Sequence, residues 1–208
     1  MNPATTLRAE DASLEQHRRW AWRLAYWVSH IASPPVLASA AILLVAAYLA
    51  TAQAWYWAVI DLLLAVGVPC LYIFWLVVSG RLADFHLPIR QQRAGPLLCT
   101  ALLTSMGWLV LWLGYAPRLL QSVACVHAVQ AWLFLLITFY WKISLHSAAA
   151  ANLALLGLVL LGSLALPLIT LVLLVGWARV YLRRHTVAQT VAGVVLGTLV
   201  MGGACLLY

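Results

Sequence analysis

The chain consists largely of long apolar runs, and these runs constrain its fold more than any other feature. A helix needs about 20 apolar residues to cross a hydrocarbon layer of about 30 Å, and seven runs approach or exceed that length. They lie at about 24–50, 55–79, 95–114, 119–141, 146–162, 164–178 and 188–207. The pattern predicts an all-α polytopic membrane protein, a bundle of about six to seven transmembrane helices.

Two of the runs leave the exact count open. The run at 164–178 is short, and the first run is interrupted by Ser33-Pro34-Pro35, a sequence that breaks helices. Six spans with one interfacial helix are therefore an alternative to seven. We expect a polar N-terminal segment over 1–23 and a single helical domain over 24–208. The start of the chain lacks the pattern of a cleaved signal peptide.

The charged residues are divided unequally between the two sides of the predicted bundle. If the helices alternate in direction, the N-terminus and the connections near 80–94, 142–146 and 179–187 share one side. Eleven of the 12 Lys and Arg residues fall there, and only Arg118 lies on the other side. Because basic connections favour the cytoplasm, we expect this face to be the cytoplasmic face of a bacterial-type inner membrane.

The formal net charge of +7 restricts the partners of the chain. Nucleic acid is not expected, because the sequence contains no basic domain that could bind a duplex. Anionic lipid headgroups of the bilayer, or a phosphorylated substrate, are the better partners. A homo-oligomer is also compatible with the sequence.

Three polar clusters fall on the basic face, each where one apolar run ends and another begins. Their members are Asp84, His86, Arg90 and Arg93, then Lys142, Ser144 and His146, then Arg179, His185 and Gln189. Arginine and lysine bind phosphate oxygens, and two histidines can act as nucleophile and proton donor in phosphoryl transfer. The alternative is that these residues are only the topogenic charges of a cytoplasmic face.

The third cluster has the spacing Arg-x5-His-x3-Gln, formed by Arg179, His185 and Gln189. It is preceded by Ser-x-His, formed by Ser144 and His146, and further upstream by a basic connection. In order and spacing these motifs resemble the type 2 phosphatidic acid phosphatase superfamily of lipid phosphate and prenyl diphosphate phosphatases. The resemblance is most specific in the third motif, which is Ser-Arg-x5-His-x3-Asp in that family.

The other two motifs match the family less closely. The second family motif, Pro-Ser-Gly-His, corresponds to Ile143-Ser144-Leu145-His146. The first, Lys-x6-Arg-Pro, places His86 at the lysine and Ala94 at the proline when its arginine is aligned with Arg93. The resemblance covers about residues 80–195.

The resemblance implies a role for each matched residue. His185 would be the nucleophile that forms a phosphohistidine, and His146 would protonate the leaving lipid oxygen. Arg93, Ser144 and Arg179 would hold the phosphate and counter the charge of the transition state. No metal and no other cofactor is required. The implied substrate is a lipid phosphate or a prenyl diphosphate.

Other residues are candidates from their position in the sequence. Arg90 and Lys142 are expected to bind phosphate, Lys142 because it lies one turn from His146 if that segment is helical. Asp84 and His86 are expected to support the site. The alternative for Asp84 is a simple ion pair with a neighbouring arginine.

Gln189 is the main departure from the family pattern, because it replaces the Asp that orients the nucleophilic histidine. Replacing the orienting Asp of a serine-protease triad by an amide costs about 10⁴ in turnover. Gln189 can accept a hydrogen bond from Nδ1–H of His185, but it cannot stabilise an imidazolium as a carboxylate does. A non-catalytic relative that binds a lipid phosphate is therefore an alternative. Gly193 is expected at a close helix contact.

Asp61, His127 and Gln130 lie inside apolar runs, away from the three clusters. A proton or ion path through a small transporter would use such residues. The favoured interpretation is one interhelical hydrogen bond each. The four cysteines stand singly without metal or redox spacing, so we expect them to be small buried apolar residues.

Overall fold

The computed structural model describes residues 3–81 and 94–207, and the regular structure in these ranges is helical. The helices are α1 (Pro3–Ile31), α2 (Pro34–Leu49), α3 (Ala52–Asp61), a π-helix (Leu62–Gly67), α4 (Val68–Val78), α5 (Ala94–Leu113), α6 (Arg118–Tyr140), α7 (Leu145–Leu161), a 3-10 turn (Gly162–Ala165), α8 (Pro167–Tyr181) and α9 (Val187–Leu207). The predicted all-α, polytopic architecture is confirmed.

Several of these helices have the length and composition of membrane spans. Five continuous helical segments qualify: Ala52–Val78, Ala94–Leu113, Arg118–Tyr140, Leu145–Ala165 and Val187–Leu206. The end of α1 and α2 form a sixth if they are counted as one span with a bend of 51°. α8 has only 15 residues, about 22 Å at 1.5 Å per residue, which is shorter than a hydrocarbon layer of about 30 Å.

The break predicted at Ser33-Pro34-Pro35 separates α1 from α2. Ser33 has extended backbone angles, φ −70° and ψ 152°, and prolines occupy the first positions of α2. The residue before a proline disfavours helical angles, whereas a proline in the first turn of a helix sacrifices no helical hydrogen bond. α1 itself runs without interruption through residue 23.

The second span contains an irregularity that hydrophobic periodicity does not predict. In the π-helix, the N–H of Val68 donates to the carbonyl of Leu63, five residues earlier. Pro69 explains this widened turn, because its ring lacks an N–H and clashes with the carbonyl four residues earlier. Ala65 and Val66 of this turn line a cavity between the helices.

Helices α7 and α9 pack closely because two glycines of α9 face α7. A Cβ atom on Gly193 would collide with the carbonyl oxygen of Ser144, and one on Gly197 would collide with that of Ala148. Glycines four residues apart lie on one helix face and allow two backbones to approach. The close helix contact predicted for Gly193 is confirmed, and it sets the position of the start of α9 against the start of α7.

Candidate functional site

A partly open cavity of about 420 Å³, the central cavity, lies between the helices of the bundle. Its wall is mostly apolar and includes residues of α2, α4, α5, α6 and α7. A volume of this size is typical of pockets that bind one small molecule. The polar residues on its wall are His30, Ser33, Thr100, Thr104, His127, Gln130, His146, Asn152, Arg179 and His185.

Three of the candidate site residues line the central cavity together: His146, Arg179 and His185. They come from the first turn of α7, the last turn of α8 and the connection before α9. His146 and His185 are each 6% exposed, and Arg179 is 4% exposed. The second and third clusters of the sequence therefore converge on one buried location, which we call the polar end of the cavity.

Arg179 connects three parts of the polar end. Its Nη1 donates to Oγ of Ser29 in α1 over 2.6 Å. Its carbonyl oxygen accepts from the N–H of Arg184 at 3.0 Å and of His185 at 3.2 Å. Arg183 lies between them in the left-handed region with φ 54°, which reverses the chain. The backbone of Arg179 therefore helps to position His185.

The side chain of His185 is oriented by Gln189. Nδ1 of His185 lies 3.2 Å from Oε1 of Gln189, and the same oxygen accepts from the N–H of Thr186 at 3.2 Å. A backbone N–H can only donate, so the Gln189 atom in contact with both groups is the carbonyl oxygen. The proton of a neutral His185 is therefore on Nδ1, and the lone pair is on Nε2.

Gln189 also completes a capping box at the start of α9. Its N–H donates to Oγ1 of Thr186 over 3.3 Å, while its side chain accepts from the N–H of Thr186. This reciprocal arrangement is the one that Thr-x-x-Gln forms at a helix start. The helix begins at Val187, so His185 precedes it rather than lying within it. The signature was visible in the sequence, and it explains how Gln189 is held toward His185.

Ser144 and Lys142 do not line the central cavity, unlike His146. Ser144 is fully buried, and its Oγ accepts from the N–H of Ser147 at 3.3 Å and from Oγ of Ser147 at 2.9 Å. It is the N-cap of α7, and its own N–H donates to the carbonyl of Gln189 over 3.2 Å. This last bond holds the starts of α7 and α9 together.

The condition for placing Lys142 one helical turn from His146 is not met. Residues 141–144 are non-helical, because α7 begins after its cap at Ser144. Nζ of Lys142 donates to the carbonyl of Arg184 over 2.9 Å. Lys142 therefore joins the connection before α7 to the connection before α9, and it does not line the central cavity.

Two residues at the polar end were not candidates from the sequence: Ser29 and His30 of α1. Ser29 is 2% exposed, and Nδ1 of His30 lies 2.8 Å from the carbonyl of Tyr26. The available signal was a pair of polar residues in an apolar run just before Pro34. The four candidates of the first cluster, Asp84, His86, Arg90 and Arg93, lie outside the described residues.

The polar residues inside the spans differ in their hydrogen bonding. Gln130 forms the expected interhelical contact: its Nε2 donates to Oδ1 of Asn152 at 3.0 Å and its Oε1 accepts from Nδ2 of Asn152 at 2.7 Å. For Asp61 and His127 the prediction of one such bond each is wrong within the described residues. Both carboxyl oxygens of Asp61 and Nδ1 of His127 are buried there without a hydrogen-bond partner.

The polar end combines groups suited to an anionic phosphate. A buried guanidinium can bind phosphate oxygens, and two imidazoles can transfer protons or attack phosphorus. Among the side chains that the structure describes, no group of three or more His, Cys, Asp or Glu residues is placed to hold a metal ion. Comparison of the chain with protein-family models, with curated proteins and with solved structures finds no match.

Proposed function

We propose that the protein is an integral membrane phosphatase that hydrolyses a phosphate or diphosphate monoester of a lipid. The observation that carries this proposal is the meeting of His146, Arg179 and His185 at one end of a largely apolar cavity. A lipid phosphate has the same division, with an anionic head and a hydrocarbon body. The resemblance of the second and third sequence motifs to lipid phosphatases supports the same conclusion.

In the proposed reaction, Nε2 of His185 attacks the phosphorus of the substrate. The bond between phosphorus and the lipid oxygen breaks, and His146 donates a proton to that oxygen, so the lipid leaves as an alcohol, or as a monophosphate when the substrate is a diphosphate. Water then attacks the phosphohistidine, His146 accepts its proton, and inorganic phosphate leaves. Arg179 binds the phosphate oxygens in both steps and stabilises their charge.

The tautomer of His185 supports this assignment of roles. A nucleophilic imidazole needs its lone pair on the attacking nitrogen, and the contact with Gln189 keeps the proton on Nδ1. The basic connections next to the polar end favour the cytoplasmic face of an inner membrane for the reaction. A substrate from the cytoplasm or from the inner leaflet would reach the polar end from that face.

The proposal is tested by a phosphate-release panel on the purified protein in detergent micelles. The substrates are prenyl diphosphates, phosphatidate and phosphatidylglycerophosphate, and the His185→Ala variant is the blank. We expect release from at least one substrate that disappears in the variant. Release that is equal in the variant, or no release from any substrate, would contradict the proposal.

A second candidate function is a non-catalytic protein that binds a lipid phosphate. Gln189 favours it, because an amide does not stabilise the imidazolium that forms when His185 is phosphorylated. This candidate predicts that the same lipids bind at the polar end without release of phosphate. This candidate would be supported if a lipid phosphate binds to the wild type, binding is lost when Arg179 is replaced, and no phosphate is released.

The variant Gln189→Glu is expected to release phosphate at least about tenfold faster than the wild type. The carboxylate keeps an oxygen for Nδ1–H of His185 and for the N–H of Thr186, and it adds the charge that stabilises an imidazolium. A negative charge in the first turn of α9 is also favourable to the helix. The measurement is the turnover rate on the best substrate of the panel.

Gln189→Leu is the matched control for this variant, because it removes both the capping interaction and the contact with His185. We expect slower turnover and a lower thermal unfolding midpoint for Gln189→Leu. A Gln189→Glu variant that folds with an unchanged midpoint but shows no gain in rate would exclude an effect of charge at residue 189 on turnover, and unchanged turnover in Gln189→Leu would exclude its orienting role.

A further inference from the structure

One face of α6 borders the central cavity with two polar residues. His127, Gln130, Ala131 and Phe134 line the cavity, and their spacing of i, i+3, i+4 and i+7 is that of a single helix face. A face that only packs against other helices in a membrane bundle needs no imidazole. His127 and Gln130 instead border a space that a ligand can occupy.

Gln130 and Asn152 form a polar pair part of the way along the cavity wall. Their amides exchange two hydrogen bonds, of 3.0 and 2.7 Å, and both side chains line the cavity. Asn152 follows His146 by six residues in α7, which is about 9 Å at a rise of 1.5 Å per residue. The amide pair therefore lies about 9 Å from the polar end.

His127 lies beyond the amide pair. It precedes Gln130 by three residues in α6, which is about 4.5 Å further from the polar end. Its Nδ1 is buried without a hydrogen-bond partner among the described residues. Buried polar atoms are rarely left without a partner, because each loses its hydrogen bond to water. A ligand oxygen in the cavity can supply a bond to this imidazole.

We propose that His127, Gln130 and Asn152 form a second binding subsite, for a neutral oxygen of the lipid body. The proposal rests on the proposed function, since the phosphate of the same molecule would bind at Arg179. Amide and imidazole groups can both donate and accept hydrogen bonds, so the oxygen is that of an ester carbonyl or of a hydroxyl. A purely hydrocarbon chain, such as a prenyl chain, would leave this subsite unmatched.

The subsite gives the cavity a preference among lipid phosphates. A buried site built to bond an oxygen discriminates against an analogue that lacks it, because Nδ1 of His127 is then left without a partner while Gln130 and Asn152 bond each other. The preferred substrate is therefore a phosphate with an oxygen several bonds away on its apolar body. Among the candidate substrates, this disfavours a prenyl diphosphate, because its hydrocarbon chain carries no oxygen.

The test compares the binding of three ligands to the purified protein in detergent micelles. They are a short-chain phosphatidate with ester carbonyls, an alkyl phosphate without further oxygen, and a hydroxyalkyl phosphate with its hydroxyl at a matching distance. Affinity is measured by titration of the thermal unfolding midpoint, which does not require turnover. We expect one of the oxygen-bearing ligands to bind about tenfold more tightly than the alkyl phosphate, the effect of one good hydrogen bond.

In the variant His127→Phe this preference is expected to disappear, while affinity for the alkyl phosphate is kept. His127→Gln, which retains a hydrogen-bonding group, should keep part of the preference and serves if His127→Phe does not fold. Thr104→Val is the matched control. Thr104 also lines the cavity, but its hydroxyl donates to the carbonyls of Thr100 and Ala101 in its own helix, so the preference should be unchanged.

The outcomes separate this proposal from the proposed function. Binding of all three ligands with equal affinity, or a preference that is unchanged in His127→Phe, overturns the subsite and leaves the phosphatase proposal intact. A preference for the ester identifies an acyl carbonyl as the oxygen, and a preference for the hydroxyalkyl phosphate identifies a hydroxyl. Failure of the wild-type protein to bind any of the three overturns both proposals.

Discussion

Replacement of His185 by Gln is expected to abolish covalent labelling of the protein by a substrate carrying radioactive phosphate. The proposed nucleophile is Nε2 of His185, whose lone pair is set by the contact of Nδ1 with Oε1 of Gln189. Loss of a nucleophile lowers turnover by at least about 10³-fold. The measurement is rapid quenching followed by detection of an acid-labile, alkali-stable phosphoprotein, the signature of phosphohistidine.

His146→Gln should give a different result, because His146 transfers protons and forms no bond to phosphorus. We expect turnover to fall by about 10²–10⁴-fold, while the phosphoprotein still forms slowly and then persists. Arg184→Gln is the control, since the Arg184 side chain is exposed and does not line the cavity. Undiminished labelling in His185→Gln would refute the role of His185 as the nucleophile. Labelling that is lost only in His146→Gln would reverse the two roles.

The spans were predictable because apolar runs of spanning length leave the backbone few alternatives in a membrane. The break before Pro34 was also predictable, because a proline disfavours helical backbone angles in the residue that precedes it. The π-helix was not predicted, although Pro69 lies inside an apolar run and prolines there distort helices. Hydrophobic periodicity indicates which face of a helix is apolar. It does not indicate how the helix changes its hydrogen bonding where a proline lacks an N–H.

The candidate site was predictable where local signals and motif spacing agree. Ser144 before an apolar run is an N-cap signal, and applying it places Lys142 outside α7 rather than one turn from His146. The Thr186-x-x-Gln189 capping box was available in the same way. These two capping signals place Lys142 before α7 and His185 before α9, which the spacing of the motifs alone does not indicate.

Other parts of the site could not be predicted from local sequence. Ser29 bonds Arg179, 150 positions away in the chain, and only the packing of α1 against α8 brings the two together. The pairing of Gln130 with Asn152 likewise depends on the contact between α6 and α7. No pattern within α1 or α6 specifies the helix that each will meet.

The variant Gly193→Leu is expected to lower the thermal unfolding midpoint and to abolish phosphate release. Any Cβ at this position collides with the carbonyl of Ser144, so α9 must move away from α7. Overpacking of this kind costs about 1–3 kcal/mol or more. The same movement breaks the bond from the N–H of Ser144 to the carbonyl of Gln189, which holds His146 and His185 at the same end of the cavity.

Gly203→Leu is the matched control, because Gly203 lies in the same helix and a Cβ there meets no atom within 4 Å. We expect it to unfold and to release phosphate as the wild type does. Gly193→Ala separates the effect of the contact on activity from its effect on stability. A single methyl displaces α9 less than Leu does, so we expect a large loss of phosphate release and only a small decrease of the unfolding midpoint. If Gly193→Leu kept both its midpoint and its phosphate release, close packing of α7 and α9 would not be what positions the two histidines.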